Sequence, residues 1–440
     1  MSLSTIEHTA PPSAEHNVPQ RRTIPTFAYW AISVLGAAAG ICYLGQVLHT
    51  PQVMMHLMDL GVYQIAGNRV VDGVSVYDTP LLGHTRGVWE FVYTPFAALL
   101  FVPLVDLHGE LYTYVGAFGN FAMLTGSVWA ALSMLGYRRD RRLVLLGPPI
   151  AGLLMWCEPV RETMAFGQIN ILLLLLVLAD MALPDSSRWK GVLTGIAAGI
   201  KLTPAFFVIY LLVTRRYRAA VTAIGACAAT VLIGFAALPK DSLTYWSGAF
   251  VDPTRVGVPE NPRNESLRGL LARTIGVDGA HQLLWLVAAS AIAAVCLLLA
   301  RRLSLTGREL PAVVLCGLTT TAVSPYSWVH HWVWLAPLLV YLADLALRRG
   351  GVAAPLGLLV ALAAASGGLI AVLDPTVVSI FDYPSGNHLT VFFHNGYVWL
   401  TLALFGAAAV WLRRSVPTGR DSYARRDGVN GAKAGMSVIE

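Results

Sequence analysis

The sequence predicts an all-α integral membrane protein: a bundle of about twelve transmembrane helices, with long outer loops carrying short interfacial helices. Three observations lead there. Of the 440 residues, 56% are hydrophobic and only 13% charged, where a soluble chain carries roughly 25% charged residues. The mean hydropathy is +0.61. Apolar runs of about 20 residues, the length that crosses a hydrocarbon core of roughly 30 Å, recur along the chain. The net charge of +6 would suggest nucleic acid as a partner in a soluble protein. Here the arginines cluster in short loops between apolar runs, as membrane proteins place them. The expected surroundings are membrane lipids, and no nucleic acid is expected.

Residues 1–24 are polar and rich in Pro, Ser and Thr, and 415–440 are similar, so both read as disordered cytoplasmic tails. Between them, 25–414 form one transmembrane domain. The first run, 26–48, is long enough to span and is followed by many more, so it reads as a retained helix and not a cleaved signal. The remaining spans are expected at 91–107, 110–136, 143–157, 164–183, 190–213, 218–238, 281–300, 309–324, 329–347, 352–373 and 392–412. Span 190–213 carries Lys201 and Pro204 at its middle. Proline removes a backbone donor, and such a break survives only where protein or a watery cavity satisfies the backbone.

An even number of spans puts both termini on one side. The clusters Arg21-Arg22, Arg215-Arg216 with Arg218, Arg301-Arg302, Arg348-Arg349 and Arg413-Arg414 then face the cytoplasm. Arg138, Arg139, Arg141 and Arg142 fall on the opposite face. Either a segment between 91 and 213 is re-entrant or the charge rule is broken there. The long loops 49–90, 239–280 and 374–391 all lie on the outer face and point to work at that surface. The five cysteines sit in or beside apolar runs without CxxC or histidine spacing, and read as small buried hydrophobes.

A charge inside a membrane is costly, so each one is a functional candidate. Asp59, just past the first span, reads as a general base at a cavity mouth or as the cap of an interfacial helix. His330 and His331, in Ser324-Pro325-Tyr326-Ser327-Trp328-Val329-His330-His331-Trp332, read as donors to a phosphate or as part of an aromatic belt. Neighbouring helical residues point about 100° apart, so one of the two meets a given atom, and adjacency suits no zinc site. Glu158-Pro159-Val160-Arg161-Glu162, followed by Gly167-Gln168-Ile169-Asn170, offers sugar hydroxyls partners or serves interhelical hydrogen bonds. Lys201, one of four lysines, calls for an anion or snorkels to the interface. Asn264-Glu265-Ser266-Leu267-Arg268-Gly269 matches a glycosylation acceptor pattern by chance frequency, and reads better as a structural or substrate-contacting loop. No Walker A sequence, cysteine–histidine zinc set or dinucleotide glycine fingerprint is present. No cofactor is expected, and nothing in the sequence demands a metal.

Taken in order, these segments resemble glycosyltransferase family 87 of the GT-C superfamily. The resemblance is carried by Asp59-Leu60 to Val62-Tyr63, Tyr93-Thr94-Pro95-Phe96-Ala97-Ala98-Leu99, Glu158-Pro159, Gly167 to Asn170, Lys201-Leu202-Thr203-Pro204, Asn264 to Gly269 and Ser324-Pro325 to His331-Trp332. It spans about 55–340. Within the family the chain is similar to actinobacterial α-(1→2)-mannosyltransferases that draw on polyprenyl-phosphate mannose, through Trp156 to Arg161 and His330 to Trp334. Thr94 stands where Pro is usual, and Glu265 where Gln is usual.

The resemblance implies a GT-C bundle in the plasma membrane with its active site on the outer side. It implies Asp59 as catalytic base, and Lys201, His330 and His331 at the donor phosphate. Tyr63, Tyr93, Glu158, Arg161, Gln168, Asn170 and Asn264 would hold sugar and acceptor. The implied donor is polyprenyl-phosphate mannose and the implied acceptor a mannosylated glycolipid such as a phosphatidylinositol mannoside or lipomannan; some GT-C enzymes use a divalent metal. Two rival readings stand beside this one. An arabinofuranosyltransferase of the same family would keep the fold and change the sugar. A lipid flippase or secondary transporter would use broken helices and an intramembrane lysine.

Overall fold

The computed structural model describes residues 22–83, 89–252, 255–348, 351–365 and 394–414, and among these every regular element is helical. Residues 1–21 of the first tail, the whole of the second, the loop 374–391 and residues 366–373 of the span expected at 352–373 lie outside the described residues. The helices are α1 (Thr26–His49), α2 (Pro51–Met54), α3 (Met58–Val71), α4 (Pro95–Phe101), α5 (Gly109–Met134), α6 (Arg141–Leu154), α7 (Glu158–Phe166), α8 (Asn170–Met181) and α9 (Val192–Ile200). They continue as α10 (Phe206–Val213), α11 (Tyr217–Ala237), α12 (Pro239–Thr244), α13 (Leu267–Ile275), α14 (Gly279–Leu305), α15 (Glu309–Val323), α16 (Leu335–Arg348), α17 (Ala353–Ala365) and α18 (Gly396–Arg414).

Six segments are long and apolar enough to cross a membrane alone: α1, α5, α11, α14, Val329–Arg348 and α18. The pair α6 and α7 would add a seventh, bent by 89° at its break. The other apolar helices are shorter. The expected all-α membrane architecture is therefore present, with six or seven full-length spans among the described residues where about twelve were expected.

Two expected spans differ for local reasons. In 91–107, Thr94 caps α4 by accepting the Ala97 N–H at 3.2 Å, and Pro95 opens the helix. A 3₁₀ turn carries it only to Leu104, roughly 15 Å at 1.5 Å per residue, too short to cross. In 190–213, Lys201 takes an extended backbone (φ −145°, ψ 136°) and ends α9. Past it, a 3₁₀ turn at Thr203–Ala205 starts α10. Arg216 bonds Asp185 at 3.1 Å, and Arg218 donates to the carbonyls of Asp185 and Ser187. The start of α9 and the end of α10 thus lie side by side. The two helices form a hairpin with Lys201 at its tip.

These two changes remove the exception in the charge pattern. The Arg22 N–H donates to Gly136 O at 3.0 Å, the Arg138 N–H donates to Arg22 O at 3.1 Å, and Arg22 and Arg348 both pair with Asp344. At the same end Arg216 pairs with Glu309 at 2.5 Å, Arg301 donates to Val213 O, and Arg308 stacks on Trp411. The cluster at 138–142 therefore joins the others at one basic end of the bundle. Lys201, Asp59 and the loops lie at the other.

Lipid tails are as apolar as leucine, so helices in a membrane associate through close packing of small residues. Gly191, Gly195 and Gly199 along α9 pack on α11. Added Cβ atoms would meet Ala219 O at 2.1 Å, Ala223 O at 2.3 Å and Thr230 Oγ1 at 2.0 Å. Backbone contact along this seam sets the height of the hairpin tip.

Candidate active site

Asp59 is aimed by the turn before it. Leu57 sits in the left-handed region (φ 52°), a conformation that costs a non-glycine residue about 1–2 kcal/mol. It is held there because its N–H donates to Ala165 O at 2.7 Å and its carbonyl accepts the Tyr112 hydroxyl at 3.1 Å. Leu57 is itself the N-cap of α3. Asp59 therefore lies in the first helical turn and not at the cap position, where a carboxylate suits the helix dipole. Its side chain lines a cavity of about 1160 Å³. Burial pushes its carboxyl up to about 7, opposed by the positive charge of Lys201 and a hydrogen bond from Gln168.

Gln168 is in turn locked. Its Oε1 accepts the Tyr93 hydroxyl at 2.7 Å, the Tyr63 hydroxyl and the Ile169 N–H at 3.0 Å. With the oxygen so loaded, the amide NH₂ is the group left to face Asp59. Gly167, just before it, ends α7 with φ 65°, and a Cβ there would meet Leu60 Cβ at 2.7 Å. Gly167→Ala is expected to lower the apparent melting temperature, since the left-handed backbone alone costs alanine about 1–2 kcal/mol. It should also reduce activity at least tenfold by pushing α3 and its carboxylate away; a thermal-unfolding scan beside an activity assay checks both.

Across the cavity, Lys201 Nζ lies 3.1 Å from His331 Nε2. His331 Nδ1 accepts the backbone N–H of Trp328 at 3.2 Å, so a neutral imidazole carries its proton on Nε2. An ammonium and an Nε2–H are both donors, and two donors face each other with no acceptor between them. An oxyanion satisfies both. His330 also lines the cavity, and its Nε2 has no hydrogen-bond partner. Its carbonyl accepts Thr163 Oγ1 at 3.0 Å and Asn170 Nδ2 at 2.9 Å, which strap the histidine turn to α7 and α8.

The residues singled out in the sequence thus divide. Asp59, Tyr93, Glu158, Gln168, Lys201, His330 and His331 share the cavity wall. Tyr63 lies behind that wall, bonded to Tyr93 and Gln168. Asn170 holds the His330 carbonyl and accepts from Lys201 at 3.4 Å. Asn264 is fully buried, donating to Pro259 O and Pro325 O and accepting the Ser327 N–H, so it ties two loops together. Arg161 is not on the wall itself but pairs at 3.4 Å with Glu162, which is. Glu158 accepts the Tyr397 hydroxyl at 2.6 Å. The wall also includes Arg255, paired with Glu90 at 3.0 Å, and Arg268. Neither was singled out beforehand, although Arg268 belongs to the Asn264–Gly269 segment. Among the described residues no three metal-ligating side chains gather.

One cavity inside an apolar helical bundle thus holds the Asp59 carboxylate together with the Lys201–His331 pair. The chain belongs to glycosyltransferase family 87, whose model matches residues 91–325. A polyprenol-phosphate-mannose-dependent α-(1-2)-phosphatidylinositol mannoside mannosyltransferase of Mycobacterium tuberculosis is 33% identical over 340 residues, covering 74% of this chain and 78% of that one. Its namesake from Mycolicibacterium smegmatis is 32% identical over 351 residues. A polyprenol-phosphate-mannose-dependent α-(1-2)-phosphatidylinositol pentamannoside mannosyltransferase of that second species is 30% identical over 344 residues, covering 77% of this chain and 80% of that one. No solved structure matches the chain.

Proposed function

We propose that the chain moves mannose from polyprenyl-phosphate mannose to the 2-hydroxyl of a mannosylated glycolipid, with inversion, at the outer face of the plasma membrane. The observation that carries this is the shared cavity of Asp59 and the Lys201–His331 pair. The names of the relatives supply the donor and acceptor classes. The orientation follows from the basic end of the bundle, which the charge rule assigns to the cytoplasm. That leaves the cavity and loops outside, in a GT-C type bundle.

In this mechanism Asp59 takes the proton of the acceptor hydroxyl as its oxygen attacks the anomeric carbon. The bond from that carbon to the phosphate oxygen breaks, and its electron pair leaves on the phosphate. Lys201 and His331 meet the charge that forms there, and donors already fixed in place need no reorganisation as it forms. A phosphate leaves as a stable anion, so one carboxylate suffices where glycoside hydrolysis needs two. The reaction so written uses no cofactor. Gln168 keeps the base aimed, and Tyr93 and Glu158 lie on the wall within the sugar's reach.

The test is a matrix of polyprenyl-phosphate mannose and polyprenyl-phosphate arabinose against mannosylated phosphatidylinositols on purified protein, with products read by mass spectrometry. A hexose added from the mannose donor supports the proposal. Addition of a pentose alone would replace the sugar, and solute uptake into proteoliposomes without transfer would replace the reaction.

A further inference from the structure

We propose that Arg268 forms a second anion-binding position in the cavity, separate from Lys201 and His331, which takes the phosphodiester of a lipid substrate. The inference rests on the mannosyl-transfer reading for its substrates and on its own geometry for the site. Arg268 is the second residue of α13 and only 9% exposed, and it lines the cavity. Its guanidinium lies 5.5 Å from the ring of Trp285 and 5.5 Å from that of Tyr326. Its Nε has no hydrogen-bond partner, and among the described residues no carboxylate pairs with it.

Three other cations shielded by the fold have carboxylate partners. Arg216 has Glu309 at 2.5 Å, Arg255 has Glu90 at 3.0 Å and Lys190 has Asp185 at 2.9 Å. The nearby carboxylate Glu265 acts on Arg273. A guanidinium taken from water without an acceptor is costly, so its retention on a cavity wall calls for a ligand that brings one. A guanidinium carries a planar fork of donors that can bind two oxygens of a phosphate at once, and Arg268 lies on the cavity wall. The N-terminus of α13 adds positive potential at the same place. His281 fixes the position by bonding the Arg268 carbonyl at 3.2 Å. Tyr326 and His331 lie five residues apart, in a loop and the 3₁₀ helix Val329–Trp332 that follows it, so the two cationic positions are tied through one short segment.

Two substrates of the proposed reaction carry a phosphodiester: the mannosyl donor, and an acceptor built on phosphatidylinositol. Kinetics of Arg268→Gln and Arg268→Lys separate them, using polyprenyl-phosphate mannose with either a mannosylated phosphatidylinositol or an alkyl mannoside that has no phosphate. Loss of a charged hydrogen bond should raise one KM about tenfold or more, with kcat held within about threefold and Arg268→Lys recovering part of the loss. An increase confined to the phosphorylated acceptor assigns the position to that lipid, and an increase in donor KM with both acceptors assigns it to the donor. Unchanged KM values, or an equal fall in kcat for both variants at unchanged KM, would overturn the proposal. If the wild-type protein transfers no mannose, the reaction reading fails by itself. Retention of phosphatidylinositol and of polyprenyl phosphate by native mass spectrometry then still tests the position: weaker retention of either by Arg268→Gln supports it, and equal retention overturns it.

Discussion

Asp59→Asn is expected to insert and fold as the wild type does and to lose transfer by on the order of 10³-fold, the usual worth of a positioned general base. The amide has the shape of the carboxylate, and its oxygen still accepts from Gln168, so the cavity keeps its form while the base loses its basicity. The wild-type pH profile carries the same information. Burial raises the Asp59 carboxyl to about 7, and a base works deprotonated. Activity should therefore be low on the acid side and rise as pH increases through about 7. The variant should lack that limb in whatever activity remains. Full transfer by Asp59→Asn, measured with labelled donor, would remove the assignment.

The second large effect belongs to the facing donors. Lys201→Met should lower kcat by about 10²–10³-fold, the usual result of deleting one donor aimed at developing charge. Two substitutions divide the duties of His331. Asparagine places its oxygen where Nδ1 stands, keeping the acceptor for the Trp328 N–H at 3.2 Å and deleting the outward donor. Glutamine places an amide where Nε2 stands and keeps that donor. His331→Asn should therefore be the worse variant for kcat, by about tenfold or more. Because Lys201 and His331 meet one charge, the Lys201→Met, His331→Asn double variant should lose less than the product of the single losses. Losses that multiply independently would mean that the two side chains serve separate ends.

The membrane class could be read from composition, and four of the side chains on the cavity wall from the cost of burying charge. Asp59, Lys201 and the histidine pair were conspicuous because nothing structural calls for them in apolar runs. The fold-back at Lys201 was not legible. Hydropathy measures how long a run is, and Pro204 is compatible with a kink as well as a reversal. The contact that decides, Arg216 on Asp185, joins residues of two different loops. The short α4 escaped for a related reason: its run is apolar because it packs between α3 and α11, where Gly67 lies against Phe101 and Gly234 against Phe96. Asn170 and Asn264 show the limit of reading polar residues in apolar settings. Both looked like sugar contacts, and both spend their amides on backbone carbonyls, a use that sequence alone does not separate from binding.

The glycine seam beneath the hairpin tip also has an electrical consequence. On the proposed orientation the cavity carries the outer solution's potential down to Lys201. The layer where Gly195 and Gly199 lie in close contact with α11 leaves little room for solution, so on this reading the membrane voltage falls mainly across it. An anionic headgroup descending to residue 201 then crosses little of the field. It does almost none of the work of about 2.3 kcal/mol that a unit charge meets in traversing a full 100 mV.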